Sequence, residues 1–220
     1  MSEQLPPPDL QRIATVDPDT ITVAQGALVW RIHKRAGPHP TAWDTLRHYG
    51  PTTARFDPHP EPAQVHPDIG ITYLTIGDTA FVTALAEAFQ HQDGVGVGAI
   101  DRATDHPTLT GFAVARALAL LDLHSGWVTR AGGNTAICSG SRVASKQWAR
   151  AIHTTYPELD GIAYPSAAYA PGRCLAVWTD RISPKAPMFS RDLTDQRLDT
   201  PLAVAAQELG TYNVPTRTNS

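Results

Sequence analysis

Three polar side chains, each set among apolar or small neighbours, are the residues of this chain best placed to do chemistry. They are Arg31 in Trp30-Arg31-Ile32, Glu87 closing Ala84-Leu85-Ala86-Glu87, and Ser166 at the end of Asp160-Gly161-Ile162-Ala163-Tyr164-Pro165-Ser166. An arginine inside an apolar strand must meet an anion or stack on a ring, because a buried unpaired guanidinium is very costly. A core carboxylate and a ligand phosphate would serve it equally well. A glutamate on a helix is usually a solvated residue. Glu87, however, shares its flank with Ala80 and Ala84, which leaves room for something to approach the carboxylate. Ser166, in a Pro-Ser-Ala-Ala loop, reads by itself as a turn residue.

The elements that must position these residues can be read from periodicity. Leu28 to His33 is a strand of β-branched and aromatic residues with Arg31 inside it, and Ile71 to Ile76 is a second, carrying Tyr73 and ending in a turn at Gly77. Asp78 is suited to cap a helix running to about Gln90, whose apolar stripe is Phe81, Leu85 and Phe89. At ~100° per residue Glu87 falls on the flank of that stripe. Residues 109–123 fit helix or buried strand on periodicity alone. Ser141 or Ser145 opens a helix through Trp148 and Ile152 that stops before Pro157. Gly161–Tyr164 and Cys174–Trp178 are strands flanking the loop that holds Ser166. Thr200 as cap, Pro201 in the first turn and Gly210 as stop bracket a last short helix. Residues 1–20 read as a loose arm. Residues 34–68, rich in Pro and His, read as a long loop of the kind that is usually functional or mobile. The expected organisation is an arm over 1–20, one catalytic domain over 21–181 and a C-terminal extension over 182–220.

Composition narrows the function. With 220 residues, 42% hydrophobic and 18% charged, the chain can bury one good core. The net charge of −3, with basic residues scattered, argues against direct nucleic-acid binding. The N-terminus has no apolar h-region and no run is long enough to span a bilayer, so a soluble cytoplasmic protein is expected. Cys138 and Cys174, without a CxxC, fit a reducing compartment. Of nine histidines, His39, His59, His66 and His106 precede proline, and none shows HxxxH on a helix. Loop histidines in water are expected, and no metal. Gly94-Val95-Gly96-Val97-Gly98-Ala99 matches a dinucleotide fingerprint in letters only. A helix precedes it where a strand is required, and a Gly-rich turn leading into a strand is the better account. There is no G-x-S-x-G elbow, which argues against a serine hydrolase.

Taken together, these segments resemble the RES-domain family, named for an Arg-Glu-Ser set. The likeness runs over roughly Val29 to Val177. It comprises the strand arginine Arg31, a second arginine in Ala54-Arg55-Phe56, the strand tyrosine Tyr73, the Ala-Leu-Ala-Glu helix with Glu87, the Gln147-Trp148-Ala149 helix and the Asp160 to Ser166 segment. The chain departs from the pattern at Ala167-Ala168, where an arginine is common.

The resemblance implies an α+β fold of ADP-ribosyltransferase type, a split, mostly antiparallel sheet with flanking helices, and strand for residues 109–123. It implies an enzyme that cleaves the nicotinamide–ribose bond of NAD, as a glycohydrolase or phosphorylase. NAD is then substrate, with no cofactor and no metal. Arg31, Glu87 and Ser166 would be catalytic. Arg31 and Arg55 would hold the pyrophosphate, Tyr73 would pack on the nicotinamide or its ribose, and Ser166 would bond a ribose hydroxyl or a phosphate. By analogy the chain would be the toxin of a toxin–antitoxin pair, covered by a helix-turn-helix antitoxin; self-association stays open. A protein ADP-ribosyltransferase and a non-enzymatic binding module are the alternatives.

Overall fold

Strands with an apolar face and helices with an apolar stripe are stable only when those surfaces cover one another. Here they do so around one large sheet. The computed structural model describes residues 4–90, 97–179, 182 and 186–213. In chain order the elements are α1 (Leu10–Ile13), β1 (Thr20–Val23), β2 (Leu28–Lys34), β3 (Tyr49–Gly50), β4 (Gln64–Val65), β5 (Thr72–Ile76), α2 (Ala80–Phe89), β6 (Pro107–Ala113), β7 (Leu118–Asp122) and α3 (Trp127–Arg130). They continue with α4 (Ala136–Ser139), α5 (Arg142–Thr155), β8 (Gly161–Pro165), β9 (Arg173–Val177), β10 (Phe189–Asp192) and α6 (Asp199–Glu208), the last entered through a 3-10 turn over Gln196–Leu198.

Eight strands form one sheet in the order β1-β7-β8-β9-β5-β2-β6-β10, and β3 and β4 form a separate hairpin. Within the large sheet only β7 and β8 run parallel. The fold class is thus the expected one, α+β with a mostly antiparallel sheet and flanking helices. The split lies at its centre. β2 and β5 are paired only at Val29↔Ile76 and Trp30↔Thr75. Beyond that point β2 follows β6 through to Lys34, while β5 follows β9. A wedge opens between Arg31 on one side and Leu74 and Tyr73 on the other.

Three apolar clusters hold the layers together. α3, α4 and α5 cover one face, with Trp127 and Trp148 fully buried against Ile162, Tyr164 and Cys174. On the opposite face Val29, Leu74, Phe112, Leu120 and Leu175 pack together. The third cluster joins α2, α6 and the far strands through Leu85, Leu109, Leu193 and Leu202, with Trp30 and Ile32 against it. Side chains alternate along a strand, so Arg31 leaves β2 on the face opposite to Trp30 and Ile32.

Several expectations need correction. Residues 4–20 of the expected arm are docked: Leu5 and Ile13 are buried in the core, Trp148 Nε1 donates to the Pro6 carbonyl (2.8 Å), and Asp9 caps α1. These apolar contacts lie far away in sequence, so local composition did not show them. Asp78 is not the cap of α2; Thr79 holds that position without a side-chain bond, and the helix is held instead by Thr75 Oγ1 donating to the Ala80 carbonyl (2.7 Å). Residues 109–123 are strand, but in two pieces broken over Val114–Ala117. The last helix starts at Asp199, placing Thr200 inside it, because the 3-10 turn capped by Asp195 already commits the chain to turn there. Nor is the C-terminal part an appendage, since β10 is the edge strand beside β6 and Leu202 and Ala205 are core residues. Residues 93–96 of the Gly-rich segment lie outside the described residues; Val97 makes an isolated bridge to Gln90 rather than opening a strand. Among the described residues, no helix is long and apolar enough to cross a membrane.

Candidate active site

The wedge between β2 and β5 is the floor of a cavity of about 340 Å³, a volume within the range of small-molecule sites. Its walls include Arg31, Arg55, Tyr73, Glu87 and Arg142, with Trp30, Tyr164 and Cys174. Four of the five residues singled out from the sequence therefore meet at one cleft, although up to 56 positions separate Arg31 from Glu87.

Glu87 reaches the cleft because α2 crosses the split, packed on β2, β5 and β9. Its apolar stripe faces the core through the fully buried Leu85, which leaves the flank of Ala84, Glu87 and Ala88 on the cavity. Ser166 does not line the cavity. It is buried behind Glu87, at 6% exposure, and its hydroxyl donates to Glu87 Oε1 at 2.5 Å. The same oxygen accepts from the backbone N–H of Ala168 (3.2 Å) and Tyr169 (3.0 Å). With two N–H groups on its lone pairs, the hydroxyl has its proton directed at the carboxylate. Where a bond to substrate was expected of Ser166, the structure shows its hydroxyl bonded to Glu87. Gly172 makes the approach possible: a Cβ there would sit 2.5 Å from the Thr83 side chain on α2, so only glycine lets the loop after β8 lie this close.

Arg31 has two tasks. Its Nη1 donates to the carbonyls of Trp43 (3.0 Å) and Thr45 (3.2 Å), which fastens the 43–46 segment beneath the sheet. Its Nε is buried without a partner, a costly state that a ligand acceptor would relieve. Burial pushes the guanidinium down to about 10, with Asp44 opposing, so it remains a cation at neutral pH.

Arg55 comes from the long irregular segment, and its position has a visible local cause. The next residue, Phe56, is fully buried on Tyr164 (ring centroids 4.6 Å) with a φ of 58°. Left-handed backbone at a bulky residue is strained and persists only when the surroundings enforce it. They do so here through Asp57, which accepts from Thr52 N–H (2.8 Å), Arg47 (2.9 Å) and His59 (2.6 Å). Burial draws the Asp57 carboxyl upward, but the bonds from Thr52 and His59 and the charge of Arg47 outweigh it and hold it below the usual carboxylate range. His59 is fully buried in this cluster and His33 is nearly so. His59, as a loop histidine, was expected in water; satisfied hydrogen bonds to Asp57 and Ile69, and for His33 to Thr41 and Thr110, are what allow the two inside.

α5 grips the same segment along one face. Arg142, Lys146 and Arg150, four residues apart, donate to the carbonyls of Thr53 (3.4 Å), Thr52 (3.0 Å) and His59 (3.1 Å). Ser145 accepts from Arg55 (2.9 Å), which also donates to the Gly140 carbonyl (2.9 Å). Sequence reasoning missed Arg142. The signal that could have found it is the i, i+4, i+8 repeat of basic residues on a helix whose opposite face carries Trp148 and Ile152.

The aromatic and thiol groups of the cleft stay neutral. Burial raises the Tyr73 hydroxyl, and it raises Tyr164 and Cys174 with the Glu87 charge adding to the effect. Cys174 is therefore no thiolate nucleophile. Tyr73 lines the cavity with its ring while its hydroxyl is buried toward Arg47 and Asp57. What remains is one carboxylate, bonded by a serine, in a partly apolar cleft whose lining also includes Arg31, Arg55 and Arg142. Such a site can hold an anionic ligand and stabilise positive charge developing on it.

Comparison with known proteins agrees with this architecture. No curated protein gave a match. A chain in the crystal structure of the M. tuberculosis MbcT–MbcA toxin–antitoxin complex superposes with a TM-score of 0.52 at 19% identity, covering 91% of this chain and 95% of that one. At this identity the likeness concerns the fold. Among protein families, residues 28–200 match the RES domain, from the strand that carries Arg31 to the start of α6, and on that match the chain belongs to the RES domain family.

Proposed function

We propose that the protein cleaves the bond between nicotinamide and ribose in NAD. The observation that carries this reading is the Ser166–Glu87 pair, a carboxylate oriented on the wall of a cleft whose other charges are all cationic. In the reaction the C1′–N bond breaks and its electron pair leaves with nicotinamide, which departs neutral. The positive charge passes from the pyridinium ring to the ribose as an oxocarbenium-like state, and a fixed anion beside C1′ lowers its energy. That anion is Glu87. Water or phosphate then attacks C1′; water gives up its proton, for which the carboxylate is the nearest base. Arg31 and Arg55 hold the pyrophosphate, and the Tyr73 ring forms the wall against the nicotinamide or its ribose.

Mixing the purified protein with NAD and following free nicotinamide tests the proposal directly. Release, with ADP-ribose or its phosphate ester as co-product, is expected. No release would overturn it, and transfer of the ribosyl group to protein would make the chain a protein ADP-ribosyltransferase instead. We further infer a toxin held inactive by a partner that covers the cleft, supported by the family and by the toxin–antitoxin complex that shares the fold. Expression without a partner should then slow bacterial growth as cellular NAD falls.

Because Ser166 acts through Glu87, Ser166→Ala should lower kcat by about 10- to 10²-fold, the scale of a misplaced reacting group, and leave KM nearly unchanged. Gly172→Ala should do the same by pushing the loop off α2. A rise in KM at unchanged kcat for Ser166→Ala would show that the serine binds substrate instead.

A further inference from the structure

The cleft holds more positive charge than the residues assigned so far account for. Arg142 is the first residue of α5, and it lines the cavity beside Thr53, Arg55 and Gln90. Its contacts are to neutral groups, the Thr53 carbonyl (3.4 Å) and Gln90 Oε1 (3.1 Å). Arg55 is likewise held by a carbonyl and a hydroxyl. Several arginines elsewhere are neutralised: Arg47 by Asp57, Arg102 by Asp199, Arg130 by Asp19 and Arg191 by Asp195. Among the described residues no carboxylate makes an ion pair with Arg55 or Arg142. The two are close enough that burial and then the charge of Arg142 depress the Arg55 pKa. Two like charges brought together in a partly buried wall are unfavourable unless an anion joins them. The amino end of a 14-residue helix adds partial positive charge at the same place.

We propose that Arg142 and Arg55 together form a phosphoryl-binding subsite at the mouth of the cleft, so that Arg142 is a substrate-binding residue in its own right. The subsite rests on the NAD reading for the identity of its ligand, and for its chemistry on two neighbouring arginines with which no carboxylate among the described residues makes an ion pair. Two ligands offer the required dianion: the pyrophosphate of the dinucleotide, and free phosphate serving as acceptor. Arg142 bridges the 52–55 segment and the end of α2, so it holds this edge of the cleft together in the resting protein and turns its guanidinium to the anion when one binds.

The test uses Arg142→Gln and Arg142→Lys in the full chain, with Arg197→Gln, an exposed residue far from the cleft, as a charge-matched control. Inorganic pyrophosphate binding is measured by calorimetry, NAD turnover by nicotinamide release with and without inorganic phosphate, and folding by melting temperature. Arg142→Gln should weaken pyrophosphate binding about 10- to 10²-fold, as expected for losing a bond to a charged group. Arg142→Lys should lie between, keeping the charge without the fork. A raised KM for NAD at nearly constant kcat assigns the subsite to the dinucleotide. Loss of phosphate stimulation at constant KM assigns it to the acceptor. Unchanged pyrophosphate affinity and unchanged kinetics in folded Arg142→Gln would overturn the proposal while leaving NAD cleavage standing. A wild type that binds pyrophosphate but releases no nicotinamide would overturn the NAD reading while leaving the subsite. A wild type that does neither removes both.

Discussion

Glu87→Gln should abolish nicotinamide release while leaving the protein folded. The substitution keeps side-chain size and an oxygen that can accept the Ser166 bond, and it removes only the charge that faces the developing cation. The loss expected from such an electrostatic contribution is about 10²-fold or more in kcat. Affinity for the substrate should be retained, because the arginines that carry it are untouched and the ground-state ribose bears no full positive charge. The melting temperature should stay close to that of the wild type, since the cleft loses an anion and no packing. Single-turnover kinetics on the purified variant settle the point. Wild-type rates would make Glu87 an ordinary helix residue and sink the mechanism. In cells the same variant is the control for toxicity, as it should leave NAD intact.

Substitution of Arg31 carries the second large effect, and its two tasks can be separated. Arg31→Ala removes the donor that holds the Trp43 and Thr45 carbonyls and also removes a cation from the cleft. Leaving a partly buried acceptor unpaired costs about 1–3 kcal/mol, which at this chain length lowers Tm by roughly 2–12 °C. Arg31→Lys keeps the charge but cannot reach both carbonyls and still offer the Nε donor. It should recover much of the stability and little of the affinity, with KM for NAD raised about 10- to 10²-fold as the charge-assisted bonds are lost. Calorimetry with NAD and a melting curve give both quantities. Normal NAD binding by the lysine variant would assign Arg31 wholly to the anchoring of the 43–46 segment.

The local patterns already placed most of the cleft. β-Branched and aromatic content put Arg31 and Tyr73 on strands, and the helical stripe of Phe81, Leu85 and Phe89 put Glu87 on a flank beside alanines, where α2 indeed presents it. The cap of α5 was legible to within two candidates, Ser141 and Ser145, because a cap acts within three residues, and the structure selects Ser141. The cap of α2 was misread because the Ala80 N–H is taken by the Gly77 carbonyl (3.0 Å) and no side chain caps the helix, while Thr75 ties the Ala80 carbonyl to the sheet. The two-piece strand over 107–122 was out of reach of a pattern that only separates apolar from polar.

Sequence by itself determined two local properties, an arginine that needs an anion or a ring and a glutamate with open space beside it; that these belong with Arg55 and Tyr73 in one site came from the resemblance to the RES family. Those properties follow from each residue's immediate neighbours, and they survive any arrangement of the chain. Only the tertiary structure decided what each residue faces. Ser166 turned inward to Glu87 rather than toward ligand, across 79 positions, because β9 lies between β8 and β5 and Gly172 lets its approach loop touch α2. Arg142 joined the cleft because α5 packs its apolar side on the sheet and lays its basic side along residues 52–59. Strand order and helix docking are set by the summed burial of apolar faces over the whole chain. No window of a dozen residues contains that sum, so the partners it brings together cannot be read from any one of them.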